Sequence, residues 1–399
     1  VAELMNAFPP GPEGQVTLAN WRNAPFNHWS FHHVRELIPT AEITNDPERV
    51  WTLPSAPVDI GELRIKSAGK GSLTFGEFLS QTSTDGIVIL FRGKVAYEAY
   101  GNGMRADNPH ILMSVSKSML GLLAGTLVAR GMLDLERVVT DIIPELRDTA
   151  YAGATIRQLL DMRAGIAFDE DYMATSGPIV AYRRATGWNP LLPGEPASDL
   201  RTFYQTMRER RRAHGGILDY ISPNTDLLGW VIETTAGRRY ADLMGDMIWK
   251  PMGAARSAYI TVDRLGAPRC AGGMCVTPLD LARVGQLIVD GGARDGRQII
   301  PSEWIGDIVS NGDPAAWAAG TLAHYFPGLQ IHYRSKWYVH RAAAPLLMAY
   351  GIHGQYLFVD REREIVIAKA SSQALPMDPE LIALTLEAVD QLRAWLVRH

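Results

Sequence analysis

The sequence predicts an α+β fold: an antiparallel sheet flanked by helices, beside a mainly helical lobe. Three observations carry that expectation. Strand patterns lie near both ends of the chain, helical patterns fill the middle, and an amphipathic segment, Leu381–Val397, closes the chain. Strands from the two ends can pair into one antiparallel sheet while the helical stretch between them packs alongside as an insertion. The expected lobes are residues 1–113 with 260–399 (α/β) and residues 114–259 (helical). The cleft between them is the expected ligand site.

The elements follow in chain order. The first 60 residues, rich in Pro, Asn, His and Trp, read as an extended arm with a short helix over Trp29–Ile38. Gly86–Leu90 and Lys94–Tyr100, separated by Arg92-Gly93, form a hairpin signal. Val115–Arg130 has helical apolar spacing and stops at Gly131. Ile156–Met162, Leu200–Arg210, Asp226–Thr235, Tyr240–Lys250 and Thr277–Leu287 also read as helices, with Gly- and Pro-rich loops such as Thr186–Pro196 between them. Leu346–Val359 and Glu364–Ala370 predict a second hairpin across Asp360–Arg363.

Composition narrows the functional classes. The 399 residues are 47% apolar and 21% charged, which suits a folded globular protein and excludes a disordered, collagen-like or coiled-coil chain. Lys+Arg 39 against Asp+Glu 43 gives a net charge of −4, so no basic nucleic-acid or anionic-membrane footprint is expected. The apolar run Met119–Ala129 is too short to span a bilayer, which takes about 20 residues. Val1–Pro10 shows no basic-then-apolar leader, and Cys270 and Cys275 make no disulfide framework, so a cytoplasmic protein is expected.

Only seven lysines occur, and Lys117 stands in an otherwise apolar helix start, Ile111-Leu112-Met113-Ser114-Val115-Ser116-Lys117-Ser118. Positions three apart share a helix face, so the Ser114 hydroxyl and the Lys117 amine can meet. Apolar surroundings lower a lysine's pKa, and a neutral amine can take a serine proton. The alternative is that Ser114 and Ser116 cap the helix. A second Ser-x-x-Lys, Ser67–Lys70, lies in a Gly-rich turn with no helix after it. Tyr220, Ser222 and Asn224 group on a loop before a helix, either as a proton relay or as a core tyrosine with a helix cap. Gly351 and Gly354 flank His353 on a late strand, where glycines mark close approach of a ligand or of backbone.

Taken in chain order, these features resemble the serine β-lactamase and penicillin-binding-protein superfamily, on its class C side, and within it the 6-aminohexanoate-dimer (nylon-oligomer) hydrolases. The likeness runs through Asn27–Pro39, Leu112–Gly121, Asp169–Tyr172, Tyr220–Asp226, Ala271–Gly285 and Gly351–Gln355. The resemblance implies a β-lactamase/transpeptidase-like fold and a serine hydrolase working through an acyl-enzyme on linear amides or short carboxyl esters. It implies Ser114 as nucleophile, Lys117 as its activating amine and Tyr220 as general acid/base. The backbone amides of Ser114 and Ile352 would form the oxyanion hole, with Tyr172, Arg183, Trp188, Ser222, Trp337, Gly351 and His353 around the substrate. No metal or organic cofactor is implied, and the family suggests a homodimer. A β-lactamase or D-alanyl-peptide hydrolase, and a non-catalytic binding protein on the same fold, are the alternatives.

Two departures bear on substrate. The Lys-Thr-Gly strand of the β-lactamases reads Ala349-Tyr350-Gly351, without the lysine that receives a substrate carboxylate. Arg183 stands where the nylon-oligomer enzymes carry an acidic residue for the substrate amine, and an arginine repels an ammonium. Ala271 replaces an Asn or His of the same enzymes.

Other signals read as structural. His32-His33-x-x-Glu36 lacks metal-ligand spacing, Asp169-Glu170-Asp171 reads as a solvated loop positioning Tyr172, and Arg208–Arg212 reads as a solvated helix end. Cys270 and Cys275 are expected to be buried free thiols.

Overall fold

The computed structural model describes residues 3–399. Its framework comprises β1 (Thr40–Ile43), β2 (Thr84–Phe91), β3 (Lys94–Tyr100), β4 (His110–Ile111), helices α1 (Val115–Ala129) and α2 (Pro223–Ala236), β5 (Ala258–Thr261), β6 (Met274–Val276), α3 (Pro278–Val289), β7 (Ile331–Arg334), β8 (Trp337–His340), β9 (Leu346–Gly351), β10 (Gln355–Asp360), β11 (Ile365–Ser371) and α4 (Pro379–Leu396). Seven strands form one antiparallel sheet in the order β7-β8-β9-β10-β11-β2-β3. The two ends of the chain meet where β11 pairs with β2, from Ile365↔Phe91 to Ser371↔Thr84. This is the sheet expected from terminal strands.

Helices cover both faces of that sheet. Ile87, Ile89, Phe358, Ile365 and Ile367 share one apolar cluster with Ile382, Leu392 and Trp395 of α4. Val88, Leu90, Leu357, Val359 and Val366 share another with Leu281, Val284 and Ile288 of α3 and with Met119, Leu120, Leu123 and Leu127 of α1. Each such large aliphatic side chain contributes roughly 1.5–3 kcal/mol by its burial. Every residue of β9, β10 and β11 is buried. Strands covered on both sides read as continuous apolar runs rather than as an alternation.

That uniformity hides one turn. Leu346–Val359 is not a single strand: the chain reverses at Ile352–Gly354, and β9 pairs with β10 from Leu346↔Asp360 to Gly351↔Gln355. His353 (φ 61°) and Gly354 (φ 86°) both take the left-handed conformation that a tight hairpin needs. The hairpin tip is thereby placed against the start of α1. A second, four-stranded sheet, β1-β5-β6-β4, lies on the other side of that start, and β4 runs straight into Leu112-Met113-Ser114. Its short strands escape the sequence pattern.

Three helices also differ from expectation. Leu200–Thr206 stops early because Met207 leaves the helical region (ψ 79°). Tyr240–Met244 continues as a π-helical turn, Gly245–Trp249. The arm carries Asn27–Ser30 and a 3₁₀ turn, Val34–Glu36, instead of one helix over Trp29–Ile38. Cys270 and Cys275 are buried free thiols, as expected. Among the described residues no helix is long and apolar enough to cross a membrane.

Candidate active site

The site is built on the first turn of α1. Met113 holds φ 45°, a left-handed conformation that a non-glycine residue adopts only under constraint, and it turns Ser114 onto the helix start. The Ser114 side chain makes no capping bond, so the capping alternative does not describe it. Instead, Lys117 Nζ donates to Ser114 Oγ at 2.6 Å and to the Ala271 carbonyl at 2.8 Å. Ser116 and Ser118 are occupied elsewhere: Ser116 Oγ accepts from the Met274 amide, and Ser118 Oγ donates to the Lys336 carbonyl. Lys117 is 1% exposed. Burial brings its pKa down to about 7; the charges of Glu170 and Asp226 resist that fall, and Arg269 adds to it.

Tyr220 arrives from the loop before α2. The Asp219 amide donates to the Met162 carbonyl at 2.7 Å, and the Tyr220 amide donates to Thr321 Oγ1 at 3.1 Å, which fixes the loop. The Lys117 ammonium nitrogen lies 4.9 Å from the centre of the Tyr220 ring. Burial raises the phenol's pKa and Glu170 adds to the rise, while contacts with Ser114 and Tyr338 work against it. Asn224 is not a helix cap; its side-chain oxygen accepts from Tyr151 Oη at 3.0 Å inside the core.

The tip of the β9–β10 hairpin closes the third side. A Cβ on Gly351 would lie 2.7 Å from the Leu112 carbonyl oxygen and 2.9 Å from the Ser114 amide nitrogen, so only glycine lets the strand approach this closely. Among the described residues, neither the Ser114 nor the Ile352 amide donates to a backbone acceptor. Both residues line the same small cavity.

Two cavities flank this centre. The larger, about 410 Å³, is lined by Tyr220, Glu170, Tyr172, Asp219, Tyr325 and Met377 among others. The smaller, about 30 Å³, is lined by Ser114, Ser222, Trp188, Ile352, Arg22, Arg183 and Arg269 among others. Glu170 and Tyr172 belong to both walls. Glu170 accepts from the Ser222 amide at 2.8 Å, from Ser222 Oγ, and from Tyr172 Oη at 3.1 Å. Arg183 donates to the carbonyls of Tyr172 (2.8 Å) and Ala174 (3.3 Å). Arg269 pairs with Asp226 and stands 4.9 Å from the centre of the Trp188 ring. Trp188 Nε1 in turn donates to Thr261 Oγ1.

Trp337 and His353 are placed differently from the other expected substrate contacts. Trp337 is fully buried behind α1, donates to the Ser118 carbonyl, and lines none of these cavities. His353 packs against Phe31 and is bonded through Nδ1 to the Gln373 carbonyl at 2.7 Å. Burial lowers its pKa to about 4. It reaches only an outer groove of about 470 Å³.

A sequence profile of the Beta-lactamase family matches residues 74–390. The chain belongs to the Beta-lactamase family. The 6-aminohexanoate-dimer hydrolase of Paenarthrobacter ureafaciens is 33% identical to this family member over 368 residues, covering 92% of this chain and 90% of its own length. Esterase EstB of Burkholderia gladioli is 28% identical over 175 residues, 41% of each chain. Among solved structures, a candidate 6-aminohexanoate-dimer hydrolase from Bacillus anthracis superposes with a TM-score of 0.88 at 25% identity, covering 98% of this chain and 99% of that one. A family VIII carboxylesterase shares the fold at a TM-score of 0.58 and 15% identity, covering 79% of this chain and 95% of that one.

In this Beta-lactamase family member the sequence brought Ser114, Lys117, Tyr220, Tyr172, Arg183, Trp188, Ser222 and Gly351 into view, and the fold gathers them. It passed over three groups. Glu170 is no freely solvated loop residue; it is half-buried and bonded to Ser222, although it does position Tyr172 as expected. Arg22 and Arg269 stand just outside the segments Asn27–Pro39 and Ala271–Gly285, and no spacing in the sequence points to them. Arg208–Arg211 are exposed, as expected, but lie past the helix, which stops at Thr206; Arg211 donates to the Phe168 carbonyl, and the half-buried Arg212 pairs with Asp219. His32 and His33 are bonded to the carbonyls of His28 and Trp29.

Proposed function

We propose that this chain hydrolyses linear amides or short carboxyl esters through an acyl-enzyme on Ser114. The observation that carries the reading is the 2.6 Å contact between a buried Lys117 amine and the Ser114 hydroxyl, beside Tyr220 and two free amides. With its pKa near 7, Lys117 has a neutral fraction that takes the Ser114 proton as Oγ bonds to the substrate carbonyl carbon. The oxyanion accepts from the Ser114 and Ile352 amides. Tyr220, whose phenol burial keeps protonated, gives its proton to the leaving nitrogen or oxygen as the bond to carbon breaks, and Lys117 returns a proton to the phenolate. Water then attacks the acyl carbon, its proton moves onto the same relay, and Ser114 leaves with a proton. Tyr172, whose phenol proton is held by Glu170, would reach the scissile group by exchanging that acceptor for the substrate.

The rival β-lactamase or D-alanyl-peptide reading lacks a strand lysine: Tyr350 is buried against Tyr356 and Phe326. A cytoplasmic homodimer belongs with the hydrolase reading and is checked by cell fractionation and light scattering. The deciding test is turnover of p-nitrophenyl butyrate, 6-aminohexanoate dimer and nitrocefin by wild type and Ser114→Ala. Ester or amide turnover that falls at least 10³-fold in Ser114→Ala is expected. Nitrocefin as the only substrate would favour the rival, and turnover that survives Ser114→Ala would overturn the reading.

A further inference from the structure

The small cavity beside Ser114 carries a charge imbalance that the hydrolytic chemistry does not need. Arg22, Arg183 and Arg269 line it, and the carboxylates at or behind its wall are Glu170 and Asp226. Asp226 is taken by Arg269, Tyr182 and the Ala271 amide. Glu170 is taken by Ser222 and Tyr172. Three positive groups therefore face two carboxylates at the cavity, with the exposed Asp171 farther out beside Arg183. Among the described residues, Arg183 bonds only neutral carbonyls. Arg22 bonds only the Asn189 side chain through Nη2, and its Nε is buried with no acceptor. Arg269 Nε is likewise buried and unpartnered. Orphaned buried donors are costly and rare, and a guanidinium matches a carboxylate.

We propose that this cavity is an anion subsite that receives a free carboxylate on the acyl half of the substrate, so that the preferred substrates are monoamides or monoesters of short dicarboxylic acids. The proposal rests on the Ser114 hydrolase reading and specifies its substrate. The direction follows from Tyr220: the leaving group must lie at its phenol, which opens into the large cavity, whereas the small one is lined by Ser114 and Ile352 and not by Tyr220. A volume of about 30 Å³ accommodates a carboxylate and little more. Arg22, Arg183 and Ile352 also line the outer groove, through which the chain can enter. Burial, with added repulsion from Arg183 and Arg269, lowers the Arg22 pKa to about 9, and a bound carboxylate would offset that repulsion. Hydrolysis adds water across the scissile bond and releases an amine or alcohol and a dicarboxylic acid.

Two readouts test the subsite. The first compares kcat/KM on p-nitroanilides or p-nitrophenyl esters of succinic, glutaric and adipic acid with the same compounds whose far carboxyl is capped as a carboxamide. Wild type is expected to favour the carboxylate by at least tenfold for one chain length, and Arg22→Met and Arg183→Met to bring that ratio towards one. The second is independent of turnover: glutarate and adipate are titrated into Ser114→Ala protein, and a rise in melting temperature is expected that Arg22→Met removes. Ser114-dependent turnover with no carboxylate preference and no shift would overturn the subsite and leave the hydrolase reading standing. No turnover on any substrate, with a dicarboxylate shift that depends on Arg22, would do the reverse.

Discussion

Lys117 is the residue on which pH acts. Only its neutral form can take the Ser114 proton, and its pKa stands near 7. The rate is therefore expected to rise with pH through about 7 and to level above it, as read from kcat/KM on a neutral ester. Glu170 resists the fall in that pKa. Glu170→Gln is expected to move the rising limb to lower pH while the protein stays folded, and an unmoved limb would remove Glu170 from the electrostatics of the site. The same residue links pH to stability. The unfolded chain returns Lys117 to its ordinary value of 10.5, so between about 7 and 10.5 it binds more protons than the folded one. Stability from this group therefore rises with pH across that window. Any stability advantage of Lys117→Met over wild type should accordingly shrink from pH 7 to pH 10 in urea denaturation. Ser114 and Lys117 could be read from sequence because one helical turn joins them. Glu170, Arg22 and Arg269 could not, because their partners are brought to them only by the folded chain.

At the scale of elements, the β9–β10 hairpin does the positioning, and its place in the site rests on Gly351. An alanine there would put a methyl carbon 2.7 Å from the Leu112 carbonyl oxygen, so the strand must retreat from the start of α1. The Ile352 amide would retreat with it. Removing one oxyanion donor costs about 10²–10³-fold in kcat. Gly351→Ala is expected to lose at least 10²-fold in kcat with its circular dichroism intact, and near-wild-type kcat would take the Ile352 amide out of the oxyanion hole. The hairpin itself is hidden in the sequence for a packing reason: with helices on both faces, β9 and β10 are buried throughout, and between Leu346 and Val359 only His353-Gly354-Gln355 interrupts the apolar run. The β2–β3 hairpin could be read because Arg92-Gly93 breaks the apolar run of β2 cleanly before Lys94 opens the second strand. Strands of two to four residues, such as β4, β5 and β6, are too short to show any period.

Across the whole molecule, the segment that completes the small cavity lies before the residues that the Beta-lactamase profile matches. The Beta-lactamase match begins at residue 74, yet Arg22 lies in the arm before it. The arm is tied to both sides of the cleft. Trp21 is 1% exposed, donates to the Trp188 carbonyl at 3.0 Å, and packs edge-on against the rings of Phe31 and Trp188. Asn27 donates to the carbonyls of Ser372 and Gln373, just past the end of β11. Truncating a buried tryptophan costs about 3–5 kcal/mol. Trp21→Ala should therefore lower the denaturation midpoint and expose the arm to limited proteolysis before the sheet opens. Because Arg22 follows Trp21, the same variant should lose the carboxylate preference expected of the small cavity. Tyrosine and phenylalanine at position 21 retain part of the ring contact and should lose less. A midpoint unchanged in Trp21→Ala would mean that the arm docks without this anchor, and that the cavity wall is held from the Asn27 side alone.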